Sequence, residues 1–231
     1  MTAKIYPVFC NQKNMANYAY IINPTNTNKA IIIDAAEAKP ILTMLETLNL
    51  IPTHIITTHH HFDHVEGNLE LKEKYNLTIL APNDELEKIS GASVPIIANQ
   101  EFILHDIKFL PISAKGHTNG HLIYYIKELE ALFTGDVLFN LCVGGLFEGT
   151  AKEMFETLQK IKQLPDSTLI FPGHEYTSSC ITRQMLNHKE FKLYLEKLYL
   201  RQQNKLAPAT LFEEKLFNPY LQANTFDQFL G

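Results

Sequence analysis

Thr57–His64, T-T-H-H-H-F-D-H, is the stretch on which the reading of this chain turns. It closes the β-rich run His54–Thr58 and precedes a helical pattern that starts at Val65. Within it His59, His61, Asp63 and His64 spell H-x-H-x-D-H. At a strand end alternate residues point the same way, so His59 and His61 converge on one point. Asp63 and His64 sit where the chain reverses and aim at a second point close to the first. Imidazole and carboxylate without thiolate suit zinc, and also iron or manganese. His60 and Phe62 point elsewhere on this reading.

One short segment cannot fill two metal sites. Three further donors stand just after expected strands: His117 in A-K-G-H-T-N-G-H, Asp136 in F-T-G-D and His174 in F-P-G-H-E-Y-T. Each follows a glycine, which permits a sharp turn and close backbone approach. Taken singly, a histidine is more often a hydrogen-bonded or surface residue, and an aspartate after glycine a turn residue. Beside the Thr57–His64 segment those odds invert. His54, His105 and His188 read as structural or solvated, and His60 and His121 as groups that orient ligands. Asp34 ends I-I-I-D and is either a turn residue or a carboxylate behind the metals.

The elements fall in a mixed order. Strands are expected at Tyr18–Ile22, Ala30–Ile33, His54–Thr58, Leu77–Ala81, Glu101–Leu104, Ile107–Ile112, His121–Ile126 and Ala131–Thr134. Thr168–Phe171 is expected as the final strand. Helices are expected at Lys39–Leu48, Val65–Tyr75 and Glu153–Leu164. Beyond His174 the texture turns helical, so the chain divides into an α/β domain over 1–174 and a helical domain over 175–231.

Composition bounds the function. The chain has 231 residues, enough for one large core with a small appended unit. Its formal net charge is −5 and only Arg183 and Arg201 are arginines, which argues against a nucleic-acid partner. Cys10, Cys142 and Cys180 are far apart, odd in number and form no C-x-x-C pair. Each is expected to be a small buried thiol, and no disulfide framework is expected. The start lacks a signal-peptide pattern and no apolar run reaches membrane-spanning length. A soluble cytoplasmic monomer is the expectation.

T-H-H-H-F-D-H, G-H-T-N-G-H, F-T-G-D, L-F-E-G-T and P-G-H-E-Y-T, in this order, resemble the metallo-β-lactamase superfamily. The last two, with the helical tail, resemble glyoxalase II, the hydroxyacylglutathione hydrolase. The resemblance implies an αββα sandwich with a smaller C-terminal helical domain over the metal cleft. It implies two divalent cations, zinc first, with iron or manganese possible. His59, His61 and His117 would hold one, Asp63, His64 and His174 the other, and Asp136 would bridge them. The implied reaction is hydrolysis of a small thioester such as S-D-lactoylglutathione, with Asp63 orienting the nucleophile. Tyr176, Phe147 and Gly145 match positions that meet substrate. Gly145 and Gln222 stand where relatives carry basic residues, and Lys115 is a candidate replacement. The competing readings are an iron-dependent persulfide dioxygenase, which shares the scaffold, and a hydrolase of the same fold acting on a non-glutathione substrate.

Overall fold

The computed structural model describes residues 3–10, 14–181, 190–196 and 208–231. Two six-stranded sheets lie face to face with helices outside. The first sheet runs β1 (Lys4–Cys10), β2 (Asn17–Asn23), β3 (Lys29–Ile33), β4 (Ile51–Ile56), β5 (Thr78–Pro82), β6 (Val94–Ile96), in spatial order. Its first two pairings are antiparallel and its last three parallel. The second sheet is built from β7 (Phe102–Leu104), β8 (Ile107–Ser113), β9 (Leu122–Ile126), β10 (Ala131–Gly135), β13 (Leu169–Pro172) and β14 (Ala209–Thr210). A small hairpin, β11 (Leu138–Phe139) with β12 (Cys142–Val143), follows β10.

Period-two alternation sorts the strand residues between layers. Tyr20, Ile22, Ile31 and Ile33 point inward to meet Phe109, Tyr124, Phe133 and Phe171 of the second sheet. Their neighbours Ile21 and Ile32 point outward under α1 (Ala38–Leu48) and α3 (Asn68–Tyr75), packing on Ile41, Leu45 and Leu71. Ala30–Ile33 is an unbroken apolar run because both of its faces are covered. On the far side Ile123, Tyr125 and Leu132 pack beneath Met154 and Leu158 of α4 (Ala151–Ile161). Thr150 starts α4 with a capping box: its hydroxyl accepts from the Glu153 amide and Glu153 reaches back to the Thr150 amide.

The structure corrects several expectations. The Val65–Tyr75 helix is broken at Gly67, giving α2 (Phe62–Val65) and then α3. A Cβ on Gly67 would lie 2.8 Å from the Ala38 amide nitrogen, so the chain passes too close to α1 for any side chain. Lys4–Cys10 forms an edge strand that lacked a clear signal, and Thr168–Phe171 is not the last strand. Ala209–Thr210 adds one more, pairing antiparallel with β13. The segment after 175 is nonetheless mostly helical where described: Thr177–Cys180, 190–196, Leu211–Phe217, Pro219–Gln222 and Phe226–Leu230. The rest of the helical expectation over 178–204, with His188, Arg183 and Arg201, lies outside the described residues.

The cysteines are a further correction. Cys142 and Cys180 are bonded to each other, and Cys10 is the buried free thiol. Thirty-eight residues separate the pair in sequence, yet packing brings their Cα atoms to 5.9 Å. Spacing along a chain cannot report such a contact. Among the described residues no helix is long and apolar enough to cross a membrane.

Candidate metal centre

The donors collect where loops leave the ends of β4, β10 and β13. β4 stops at Ile56, earlier than expected, so His59 and His61 lie on extended loop rather than in the strand. His61 has φ −59° and ψ 140°, and extended backbone preserves the alternation that aims both rings one way. Asp63 and His64 occupy the first turn of α2, not an irregular reversal. His117 arrives from the loop between β8 and β9, Asp136 from the end of β10, and His174 from the end of β13. Gly173 is obligatory there: a Cβ on it would lie 2.3 Å from Asp136 Oδ1.

All seven side chains meet. One ligand atom each from His59, His61 and His117 lie within 4.8 Å of one another, and so do those of Asp63, His64 and His174. His59, His64 and Asp136 form a third such group, which places Asp136 between the other two. Asp136 Oδ1 lies 3.1 Å from His64 Nε2, and its Oδ2 is 3.1 Å from His174 Nε2 and 3.5 Å from His117 Nε2. Asp63 Oδ2 is 3.3 Å from His174 Nε2.

The rings are held from behind. His117 Nδ1 donates to the Gly145 carbonyl and His174 Nδ1 to that of Met15, both at 2.7 Å. His64 Nδ1 donates to Asp34 Oδ2 at 3.0 Å. His59 Nδ1 donates to Thr58 Oγ1, whose hydroxyl donates in turn to Asp34 Oδ2. Asp34 thus fills both roles open to it: it turns the chain at φ 53° and braces two rings. His121 Nε2 accepts the Asp136 amide and fixes that residue's backbone.

This bracing tests whether cations fit. A carbonyl oxygen only accepts, so the Nδ1 atom of His117 carries its proton and Nε2 of the neutral ring is a bare lone pair. That lone pair faces Nδ1 of His61 at 2.9 Å, and the buried Nε2 of His59 has no hydrogen-bond partner among the described residues. Burial and like-charged neighbours hold His59, His61 and His117 below the usual histidine range. Converging lone pairs without protons are what a divalent cation satisfies. On the other side burial opposes charge, but hydrogen bonds to Asp136 and Asp63 lift His174 to about 9. Burial also opposes ionisation of Asp136, yet the charge of His64 and the bond from His174 hold it well below the carboxylate range. The donor set fits two cations.

A cleft of about 460 Å³ opens over this centre, lined by Met15, Phe62, Phe139, Gly144, Phe147 and Tyr176 as well as His61, Asp63, His117, Asp136 and His174. A larger hollow, about 1060 Å³, lies between β1 and α1 and includes none of the seven. Tyr176 stacks on His174 with ring centroids 4.7 Å apart, and Phe147 stands against His61 and His117. Gly145 contributes its carbonyl to His117. Lys115 is exposed and Gln222 bonds the Leu216 carbonyl; neither lines the cleft. One residue had no signal in the sequence. Buried Asn17 donates Nδ2 to both the carbonyl and Oδ2 of Asp63, each at 3.0 Å, and fixes that carboxylate.

Residues 14–174 match the metallo-beta-lactamase superfamily. The hydroxyacylglutathione hydrolase of Pelagibacter ubique is 38% identical over 92% of this chain and 91% of its own length. That of Bartonella tribocorum is 38% identical over 90% of this chain and 84% of its own length. Among solved structures, ETHE1 from Myxococcus xanthus superposes with a TM-score of 0.75 at 24% identity. That match covers 98% of this chain and 88% of the other, and at this identity it carries the fold alone. Seven converging donors and close likeness over nearly the whole length lead to one assignment: the chain belongs to the metallo-β-lactamase superfamily and, within it, to the hydroxyacylglutathione hydrolases.

Proposed function

We propose that the chain hydrolyses S-(2-hydroxyacyl)glutathione, with S-D-lactoylglutathione as the reference substrate, to a hydroxy acid and a free thiol. His59, His61 and His117 would hold one zinc ion, Asp63, His64 and His174 the second, with Asp136 shared. The observation that carries this reading is the pair of donor groups joined at Asp136 on the floor of the cleft. When bound, two such cations act as Lewis acids and bring a shared water towards ionisation near neutral pH.

The protein's own residues do the rest. Asn17 holds Asp63 so that its carboxylate can orient the attacking water. Asp34, through Thr58 and His64, keeps the ring faces fixed, so no reorganisation is needed as charge develops. Met15, Phe62, Phe139 and Phe147 give the cleft an apolar wall against which the thioester can lie. Tyr176, stacked on His174, presents its ring to the thiol portion. The thiolate is a good leaving group and needs little protonation. Residues 1–174 carry the chemistry on this reading and 175–231 shape the substrate side. The enzyme acts as a cytoplasmic monomer on a small thioester, without nucleic acid or membrane.

The test is a thioester panel with metal analysis on one preparation. S-D-lactoylglutathione should turn over fastest, with two equivalents of divalent metal bound. Oxygen uptake with glutathione persulfide and one equivalent of iron would instead establish the dioxygenase reading. Two converging donor groups favour the hydrolase over that single-iron chemistry.

A further inference from the structure

Behind the metal centre, facing away from the cleft, lies a second group of charged side chains. Glu85, in the 3₁₀ turn Asn83–Lys88, is fully buried. One of its oxygens, Oε1, accepts both the Thr118 hydroxyl and the Gly120 amide, the latter at 3.0 Å. Its other oxygen lies 2.9 Å from His60 Nδ1, close but outside hydrogen-bond geometry. His60 Nε2 lies 3.4 Å from Glu148 Oε1, which also takes Lys88 Nζ at 3.0 Å. Glu148 Oε2 accepts the Asn119 amide at 3.1 Å.

The connectivity is specific. Thr118, Asn119 and Gly120, the three residues after His117, each give one donor to one of two carboxylates. A Cβ on Gly120 would lie 2.4 Å from Glu85 Cγ, so the glycine admits the buried carboxylate. His60 lies between His59 and His61 on the other loop and points at the same Glu85. A buried carboxylate is expensive unless paired and hydrogen-bonded, and all of Glu85's partners belong to the two loops that carry His59, His61 and His117.

We infer that Glu85 is a positioning residue: by holding Thr118 and Gly120 against the loop that carries His60 it sets the spacing of the three-histidine half of the metal centre. The inference rests on the two-cation reading above. His60, Glu85 and Glu148 could also be taken as a third cation site, since their ligand atoms lie within 4.8 Å. The two ring nitrogens of His60, however, face different carboxylates, and Lys88 already supplies charge to Glu148. That ring lies between two carboxylates rather than closing on one point.

The experiment uses the full chain with Glu85→Ala, Glu85→Gln and Thr118→Val. Co²⁺ is titrated against a chelator, and amide hydrogen exchange at Gly120 is followed in metal-free protein. Glu85→Ala should weaken one of the two Co²⁺ ions about 10–100-fold, the range for losing a group that orients a ligand, and leave the other nearly unchanged. The Gly120 amide, having lost its acceptor, should exchange at least about tenfold faster. Glu85→Gln should approach wild type, because its carbonyl oxygen still accepts from Thr118 and Gly120. Should Glu85→Ala fail to fold, Thr118→Val must weaken the same ion. Equal weakening of both ions, or loss of a third equivalent, would overturn the inference. Wild-type affinity in both Glu85→Ala and Thr118→Val would do the same. If the wild type itself binds fewer than two ions, the two-cation reading fails, while Gly120 exchange still decides the role of Glu85.

Discussion

Gly173 shows how little freedom single residues have at this centre. An alanine there would drive its methyl against Asp136 Oδ1 at 2.3 Å and His64 Cε1 at 2.8 Å. The shared carboxylate must then move. Gly173→Ala should fold, bind fewer than two metal equivalents and lose about 10²-fold or more in kcat/KM, since misplacement near 1 Å has that effect. Metal analysis together with circular dichroism checks it. Asp34 is a second sensitive position. Asn tolerates its left-handed backbone, so Asp34→Asn keeps the turn while removing a carboxylate that accepts from the Thr58 amide, the Thr58 hydroxyl and His64 Nδ1. An amide group cannot accept all three, and metal affinity should fall about 10–100-fold in chelator competition.

At the scale of elements, Glu214 joins the helix Leu211–Phe217 to the β11–β12 hairpin. Its Oε2 accepts the Leu141 amide at 2.9 Å and Asn218 Nδ2 at 3.0 Å, and Tyr194 donates to Oε1 at 2.9 Å. Leu141 sits at φ 70°, so the hairpin turn needs that anchor. Burial pushes the Glu214 carboxyl from the ordinary 4.5 up to about 7, against the lowering effect of these bonds. The folded state therefore keeps a proton that the unfolded chain has already lost. The stability this contributes is whole below about 4.5, falls as pH rises, and is gone above about 7. The span corresponds to up to about 3 kcal/mol. Glu214→Gln should remove this slope, seen as a flatter pH dependence of the urea midpoint between pH 5 and about 8 than in wild type.

Across the whole molecule, the tail is part of the sandwich. Ala209–Thr210 covers the edge of β13, and Leu211 and Leu221 are buried against Met154, Leu158 and Ile170. The Cys142–Cys180 bond ties the hairpin beside the cleft to the helix after Tyr176. A chain ending at residue 207 loses both leucines from the core, each worth about 1.5–3 kcal/mol of burial. It also bares a strand edge. Such a chain should unfold at least about 3 kcal/mol more easily in urea and aggregate at concentrations where the full chain does not. Unchanged stability would mark 208–231 as an independent appendage.

The sequence by itself determined the mixed α/β order of the elements, because period-two and helical spacing are local properties that burial enforces residue by residue, while the layered sandwich followed only from the resemblance of its motifs. It also determined the candidate donors: H-x-H-x-D-H is contiguous, and His117, Asp136 and His174 follow glycines at strand ends. Other features were decided only by the tertiary structure. Asn17 behind Asp63, Glu85 behind His60 and Thr118, the Cys142–Cys180 bond and the Ala209–Thr210 strand each join residues more than twenty positions apart. None of these partners carries a local pattern, since an asparagine, a glutamate or a cysteine reads the same in a loop as in a network. Which one braces a ligand is fixed by where the two sheets bring distant loops together, and that follows from packing of the whole chain rather than from any stretch of it.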